Sequence, residues 1–316
     1  MYSWGDDTST WKSPGAYDYG EAKKPYLESL AKEAKNEGSR VYSTKKGPNL
    51  ELVDPKGKTL HSDSKDVVLW MIDGTGSMQK WPAEFFDRAP LIYQTLSTQR
   101  AEVDLSFSVI GDARWDKWPV QIGNLERGLA LDTQLKALHA EGAGGPGNRE
   151  SYELWAYFAK EHVSMPNAIS PTIILMGDEK FYENINPADV HKIFGDTIQG
   201  PIDSLGVWRS LAEKFDIYLL HKEYASNDAE VVGQWKEALG DQKVVPVYDP
   251  QRVVDQGLAI LATKWGFSED FEKNIAARQD GKTVKAVMES LRAVSIPSVG
   301  GEKSNKSTSL VMEVEK

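Results

Sequence analysis

Short apolar runs alternate with amphipathic segments through the middle of the chain. The run at residues 67–72 is apolar throughout and the run at residues 171–176 is apolar except for Thr172, which is typical of strands buried on both faces of a parallel sheet. Further strands are predicted at residues 103–110, 216–220 and 244–248. Predicted helices separate them at residues 82–98, 150–163, 205–214, 229–239 and 250–265. This alternation predicts a doubly wound α/β fold, with a mostly parallel sheet and helices on both faces.

One strand is expected to run in the opposite direction. The charged segment GDARWDKW follows residues 103–110, and residues 119–122 then form a short strand, which predicts an antiparallel hairpin at the edge of the sheet. Its turn carries Asp112, which is either an outer group of a nearby site or an ordinary turn residue. Trp115 and Trp118 flank the turn and either anchor an interface or pack inside the hairpin.

The rest of the chain is divided by composition into extensions. Residues 63–266 are predicted to form the α/β domain, residues 267–297 a helical extension and residues 298–316 a flexible Gly/Ser/Lys tail. Residues 1–62 are predicted to contain an aromatic arm, a helix at 25–37 and short strands at 40–43 and 49–53. A segment with so few elements can bury only a small apolar area by itself. We therefore expect it to pack on the α/β domain; a disordered tail is the alternative.

Composition narrows the function classes. The 316 residues carry a formal net charge of −10, which repels phosphate backbones and argues against nucleic-acid binding. Cysteine is absent, so disulfides and thiolate metal sites are excluded. We expect no membrane segment and, because the first residues are neither basic nor apolar, a cytoplasmic location, although export without a recognisable signal stays open.

The strand at 67–72 ends in a loop of small residues that carries the best candidate chemistry. Asp73, Thr75 and Ser77 alternate with Gly74 and Gly76, and the glycines allow the backbone to curl until all three side chains point to one place. Carboxylate and hydroxyl oxygens are the ligands that Mg²⁺ prefers, and a small ligand set leaves coordination positions open. The loop therefore predicts a Mg²⁺ or Mn²⁺ site; a capped strand-to-helix turn is the plain alternative.

The sequence Asp-Gly-Thr-Gly-Ser-Met at residues 73–78 resembles the metal-ion-dependent adhesion site of von Willebrand factor A domains, in the form seen in many bacterial members. The resemblance covers roughly residues 66–265. It implies that a second loop, before the helix at 150–163, and a third loop, after the strand at 171–176, complete the site. Asp178 fits the aspartate of the third loop, although an aspartate that starts a helix is the alternative.

The second loop, GGPGNRES, departs from the pattern of that family. Gly147 stands where the resemblance implies threonine or aspartate, which leaves Asn148, Glu150 or Ser151 as substitutes. Glu150 is preferred because it aligns with the glutamate of a bacterial Gly-Gly-Gly-Asp-x-Pro-Glu variant. It would act through water or by holding Ser77, or else is a helix N-terminal acid.

Other families share parts of this loop but lack a residue that their chemistry needs. In a phosphatase of the haloacid dehalogenase type the nucleophilic aspartate would fall at Met71, which cannot attack phosphorus. An aspartic protease needs Asp-Thr-Gly without the interruption at Gly74. The phosphate loop of sugar kinases and actin needs a second such loop, which the sequence does not clearly supply.

The sequence therefore predicts a non-enzymatic adaptor or scaffold module, in which the ion captures an Asp or Glu side chain of a protein partner. The resemblance implies a partner such as an AAA+ ATPase or its substrate. Two alternatives stay open: a Mg²⁺-dependent hydrolase of phosphate esters, and a structural subunit whose metal site is vestigial.

Overall fold

The computed structural model describes residues 47–298 except residues 101, 225–227, 279 and 293. The helix predicted at 25–37, the strand at 40–43 and the tail from residue 299 lie outside these ranges. None of the helices in the described part of the chain is long and apolar enough to cross a bilayer.

A six-stranded sheet forms the centre of the molecule, and three two-stranded pairs lie around it. The strands are β1 Leu60–His61, β2 Val67–Asp73, β3 Asp104–Ile110, β4 Val120–Ile122, β5 Arg149–Glu150, β6 Val163–Ser164, β7 Thr172–Gly177, β8 Lys180–Phe181, β9 Asn184–Ile185, β10 Ile202–Asp203, β11 Asp216–His221 and β12 Val244–Pro246. The central sheet has the order β12-β11-β7-β2-β3-β4. Only the β3–β4 pairing in it is antiparallel, as the hairpin pattern predicts.

Helices cover both faces of this sheet. They are α1 Leu50–Val53, α2 Trp81–Arg88, α3 Pro90–Gln99, α4 Ala130–Ala137, α5 Tyr152–Glu161, α6 Pro187–Phe194, α7 Ser204–Ala212, α8 Asp228–Leu239, α9 Val253–Lys264, α10 Ser268–Arg278 and α11 Gly281–Leu291. The predicted fold class, a doubly wound α/β fold with one antiparallel edge strand, is confirmed.

Strand β2 separates two hydrophobic cores. Val68 and Trp70 point into the core with α2, α3, α4 and α9, whereas Leu69 and Met71 point into the core with α5, α7 and α8. Successive side chains of a strand face opposite sides, so an apolar run throughout β2 supplies both cores. Trp70 packs so closely on α9 that a Cβ on Gly257 would lie 2.1 Å from its ring.

Several predicted elements differ in detail from the structure. Residues 49–53 form the short helix α1 instead of a strand, because Asn49 accepts a hydrogen bond from the Glu51 amide and starts a helical turn. The single helix predicted at 82–98 is two helices, and Pro90 begins the second one. The helix predicted from Glu150 begins at Tyr152. Helix α6 was not predicted.

The reversal of strand order positions the candidate site. The chain passes from β2 outward through β3 and β4, then returns to add β7 on the other side of β2. In open α/β sheets, ligands bind at the carboxyl ends of the strands at such a reversal. Asp73 ends β2 and Asp178 directly follows β7, so both lie at this point.

Candidate metal centre

The loop after β2 folds as its spacing predicts. The Asp73 Oδ1 atom accepts hydrogen bonds from the Thr75 amide at 2.8 Å and from the Thr75 hydroxyl at 2.6 Å. The Thr75 and Ser77 hydroxyl oxygens lie 3.1 Å apart. The three oxygen-bearing side chains therefore form one continuous row of closely spaced oxygen atoms, with Asp73 and Thr75 buried.

Glycines let neighbouring backbone approach this loop. A Cβ on Gly74 would lie 2.7 Å from a methyl carbon of Val109. The Gly76 amide donates to the Ala143 carbonyl at 2.5 Å, and the Gly142 amide donates to the Gly74 carbonyl at 2.8 Å. The glycine-rich segment at residues 142–147 is thereby fixed against the loop at residues 73–78, the candidate metal loop, which brings the second predicted loop to the first.

Asp178 joins the third loop to the first. Its carboxylate is fully buried, and its Oδ1 atom accepts a hydrogen bond from the Ser77 hydroxyl at 2.8 Å. Asp178 is followed by β8, not by a helix, so the alternative of a helix-initiating aspartate is wrong.

Glu150 lies beside the metal loop, within β5 and two residues before α5. The alternative of an acid at the helix N-terminus stays open, because Glu150 directly precedes the N-cap residue Ser151. A Cβ on Gly144 would lie 2.9 Å from the Glu150 carboxylate and 3.4 Å from the Thr75 Cβ, which places this carboxylate next to Thr75. Glu150 is 2% exposed, and its Oε2 atom has no hydrogen-bond partner among the described residues.

The other residues of the second loop have different contacts. The Ser151 hydroxyl accepts a hydrogen bond from the Ala113 amide at 2.9 Å and so supports the edge hairpin, not the metal loop. Gly147 has a φ of +140°, which favours glycine, and its carbonyl accepts a hydrogen bond from the Tyr224 hydroxyl at 2.8 Å. The backbone carbonyl of Asn148 accepts a hydrogen bond from the Lys180 amide at 2.9 Å.

Tyr152 and Lys222 belong to the site but were missed by the sequence analysis. The Tyr152 hydroxyl donates to Asp73 Oδ2, and it crosses the end of β7 so closely that a Cβ on Gly177 would lie 2.3 Å from it. The Lys222 Nζ lies 2.5 Å from Asp178 Oδ2. Lys222 directly follows β11, so extending the strand-end rule to this strand would have found it.

Acidic side chains are concentrated in the buried part of the site. Burial raises the pKa of Asp73 to about 7, with a further contribution from Asp178. Burial and the charge of Asp73 raise the pKa of Glu179 to about 8 and that of Glu150 to about 11. These carboxyl groups resist ionisation because burial removes the water that would solvate their charge and because other carboxylates lie nearby.

The donor set fits a hard divalent cation that takes hydroxyl as well as carboxylate ligands. No group of three histidine and acidic side chains in the described ranges is arranged to hold a metal ion by itself. Thr75 and Ser77 would therefore have to complete the set formed by Asp73, Asp178 and Glu150. The unpartnered Glu150 oxygen and the raised carboxyl pKa values are what such a cation would satisfy.

The edge hairpin borders the site. Asp112 is a turn residue that also accepts a hydrogen bond from the Tyr182 hydroxyl at 2.9 Å. Asp116 accepts one from the Gly144 amide at 2.8 Å, which ties the hairpin to the glycine-rich segment. Trp115 is 61% exposed, whereas Trp118 is half-buried, so only the first of the two is available to a partner.

Comparison with known proteins gives distant structural similarity only. No protein-family model matches the sequence, and no curated protein matches it significantly. Proximal thread matrix protein 1 from the mussel byssus superposes with a TM-score of 0.43 at 10% identity, over 67% of this chain and 48% of that one. A pilus adhesin of Lactobacillus rhamnosus GG gives a TM-score of 0.45 at 10% identity, over 68% of this chain and 31% of that one. This chain therefore spans less than half of either protein.

Proposed function

We propose that this chain is a non-enzymatic protein-binding module of von Willebrand factor A type, an adaptor or scaffold that captures a partner carboxylate through Mg²⁺ or Mn²⁺. The observation that carries the proposal is the row of closely spaced oxygen atoms from Asp73 through Thr75 and Ser77 to Asp178, in which Thr75 donates a hydrogen bond to Asp73 and Ser77 donates one to Asp178. This row joins two strand ends at the reversal of the sheet. The proposal is supported by the general rule that open α/β sheets bind ligands at such a reversal.

The surrounding residues hold these oxygens in position. Tyr152 orients the Asp73 carboxylate, and Asp178 fixes the Ser77 hydroxyl proton and so leaves the oxygen lone pairs free for an ion. Glu150 supplies a further oxygen with no other partner among the described residues. When bound, the ion would supply a Lewis-acidic position that a carboxylate oxygen from outside can complete.

A binding module fits these residues better than a hydrolase. Metal-assisted hydrolysis needs a base beside the ion and a pocket that orients the substrate. Asp73 and Asp178 are both engaged by hydroxyl donors. A groove of about 410 Å³ lies at the other end of the sheet, lined by residues such as Val163, Met165 and Phe215, away from the carboxylates.

One observation favours the second alternative, a structural subunit with a vestigial metal site. The Lys222 ammonium lies against Asp178 and supplies positive charge without an ion. A measurement of metal binding distinguishes the metal-dependent binding module from the structural subunit. The partner itself, for which the resemblance implies an AAA+ ATPase or its substrate, and the cytoplasmic location stay predictions.

Calorimetry tests the metal site. We expect saturable heats for Mg²⁺ and Mn²⁺ with the wild-type chain and their loss in Asp73→Ala. Asp63→Ala is the matched control, because the Asp63 side chain is 76% exposed and contacts His61 outside the site. Identical heats and identical metal-induced shifts of the melting temperature in wild type and Asp73→Ala would refute the proposal.

A peptide library tests the capture of a carboxylate. We expect Mn²⁺-dependent binding of peptides that carry Asp or Glu, and no binding of the same peptides with Asn or Gln. EDTA should release them. Binding that is equal in Mn²⁺ and in EDTA would contradict the role of the ion, and turnover of phosphate esters would favour the hydrolase instead.

A further inference from the structure

Lys222 is held at the metal loops by the register of the central sheet. Strand β11 lies next to β7, with His221 opposite Gly177, so the residues that follow these two strands emerge side by side. The Lys222 amide donates to the Gly177 carbonyl at 3.1 Å, which fixes the backbone there. Its Nζ then reaches Asp178 Oδ2 at 2.5 Å.

The two carboxylate oxygens of Asp178 have different partners. Oδ1 accepts the hydrogen bond from Ser77, a predicted ligand, while Oδ2 contacts the ammonium of Lys222. Asp178 is fully buried, so water solvates its charge poorly. Its attraction to the Lys222 ammonium is therefore weakened little by water. An ammonium and a divalent cation on the same small carboxylate repel each other, and this repulsion is strong where the surroundings are buried.

We infer that Lys222 is a built-in competitor of the divalent ion: its ammonium occupies Asp178 when the site is free, and it must leave Asp178 before the ion binds tightly. This inference rests on the proposed function. The Lys222 side chain is 17% exposed, whereas Asp178 is fully buried, so the lysine is the member of the pair that borders solvent.

The competition sets the concentration of ion at which the module works. A site whose acidic residue is already paired binds Mg²⁺ more weakly than the same residues without the lysine, because the ion pair must first be broken. Lys222 also keeps Asp178 compensated in the metal-free chain, where an unpaired buried carboxylate would be destabilising. The same side chain thus stabilises the free site and weakens its affinity for the ion.

Calorimetric titration with Mg²⁺ alone tests this inference. We expect Lys222→Met to bind Mg²⁺ at least about tenfold more tightly than wild type, which corresponds to about 1.4 kcal/mol. Lys222→Arg keeps the charge and should show no such gain. Lys180→Met is the matched control: Lys180 lies at the same end of the sheet, pairs with exposed Glu230 at 3.1 Å, and should leave the Mg²⁺ affinity within twofold of wild type.

Thermal melting gives a second readout. Metal-free Lys222→Met should melt below wild type because Asp178 loses its partner, and Mg²⁺ should raise its melting temperature more than that of wild type. If this variant does not fold without metal, Lys222→Gln replaces it, because the amide still donates a hydrogen bond to Asp178 without the charge.

The outcomes separate this inference from the proposed function. Equal or weaker Mg²⁺ binding by Lys222→Met and Lys222→Gln, with wild type still binding the ion, would overturn the role of Lys222 alone. No Mg²⁺ binding by wild type or by either variant would overturn both. Tighter binding by the two neutral variants, with Lys222→Arg and Lys180→Met unchanged, would establish the competition.

Discussion

Trp115 is an exposed aromatic residue near the candidate metal loop. Its ring lies against the glycine-rich segment, where a Cβ on Gly145 would be 2.2 Å from the indole. The turn that carries it is fixed by Asp112 and Asp116. An exposed aromatic residue on a rigid support is the kind of group that anchors protein interfaces, because it buries a large area with little loss of conformational entropy.

We expect Trp115→Ala to weaken Mn²⁺-dependent binding of an acidic peptide about tenfold, or about 1.4 kcal/mol. The Mg²⁺ affinity should not change, since Trp115 supplies no ligand. Ile169→Ala is the control: Ile169 is 65% exposed but precedes β7, at the opposite end of the sheet. Equal peptide affinities for Trp115→Ala and wild type, measured by fluorescence anisotropy, would remove Trp115 from the interface.

Residues of the site were predictable where the contacts are local in sequence. Asp73, Thr75 and Ser77 lie within one turn, so their spacing was enough to bring them together. Tyr152 depends instead on the register of α5 against the end of β7, where Gly177 leaves the space. A sequence pattern does not contain that register, and the sequence analysis therefore did not find Tyr152.

Helices and strands were predicted best where the periodic pattern of apolar residues is strong. They were predicted less well where a capping residue determines whether a short helix forms. Helix α6 is short, but its signals are present in the sequence: Asn186 caps it, Pro187 occupies the first turn and Gly195 ends it at a φ of +85°. At α1, the capping Asn49 outweighs the strand-like composition of residues 50–53. Such short elements depend on one or two hydrogen bonds, which periodicity cannot reveal.

The segment before β1 offers a test at the scale of one element. Lys58 donates hydrogen bonds to the carbonyl oxygens of Leu52 and of Ile122 in the edge strand β4, the latter at 2.7 Å. Burial lowers its pKa to about 8, partly offset by the charge of Asp54. The unfolded chain keeps the Lys58 proton up to a pKa near 10.5, the ordinary value.

Between about pH 8 and pH 10.5 the unfolded chain therefore binds more protons at Lys58 than the folded chain, so this residue makes stability rise with pH. We expect the urea-unfolding free energy of wild type, relative to Lys58→Met, to increase over that window and to be constant below it. Subtracting the variant removes the titration of other groups. A difference independent of pH would show that Lys58 is not buried between α1 and β4.

At the scale of the whole molecule, the alternation of strands and helices was enough to predict the fold class. Apolar runs such as β2 had to be covered on both faces, and the chain supplies enough amphipathic helices for both. The alternation does not predict the order of the strands in the sheet, because that order depends on which helices pack on which face. The position of Lys222 beside Asp178 depends on the strand order and was therefore not predicted either.

The described part of the predicted N-terminal extension packs on the α/β domain. Val53 is fully buried in the core that contains α4, and the Asn49 amide donates to the Ala137 carbonyl at 2.8 Å. In β1, Leu60 pairs with Val163 of β6. Residues 47–62 are thus attached to both faces of the sheet.

Two truncations test this at the scale of the chain. Deleting residues 1–62 removes Val53 and Leu60, each of which contributes about 1.5 to 3 kcal/mol by burial, whereas deleting residues 1–46 keeps both. We expect the longer deletion to lower the melting temperature by about 6 °C or more relative to the shorter one. Both should bind Mg²⁺ with the same affinity, because the metal ligands come from β2, β5 and β7 onward. Equal melting temperatures for the two truncations would contradict the packing of residues 47–62 on the domain, since buried apolar side chains cannot be removed without loss of stability.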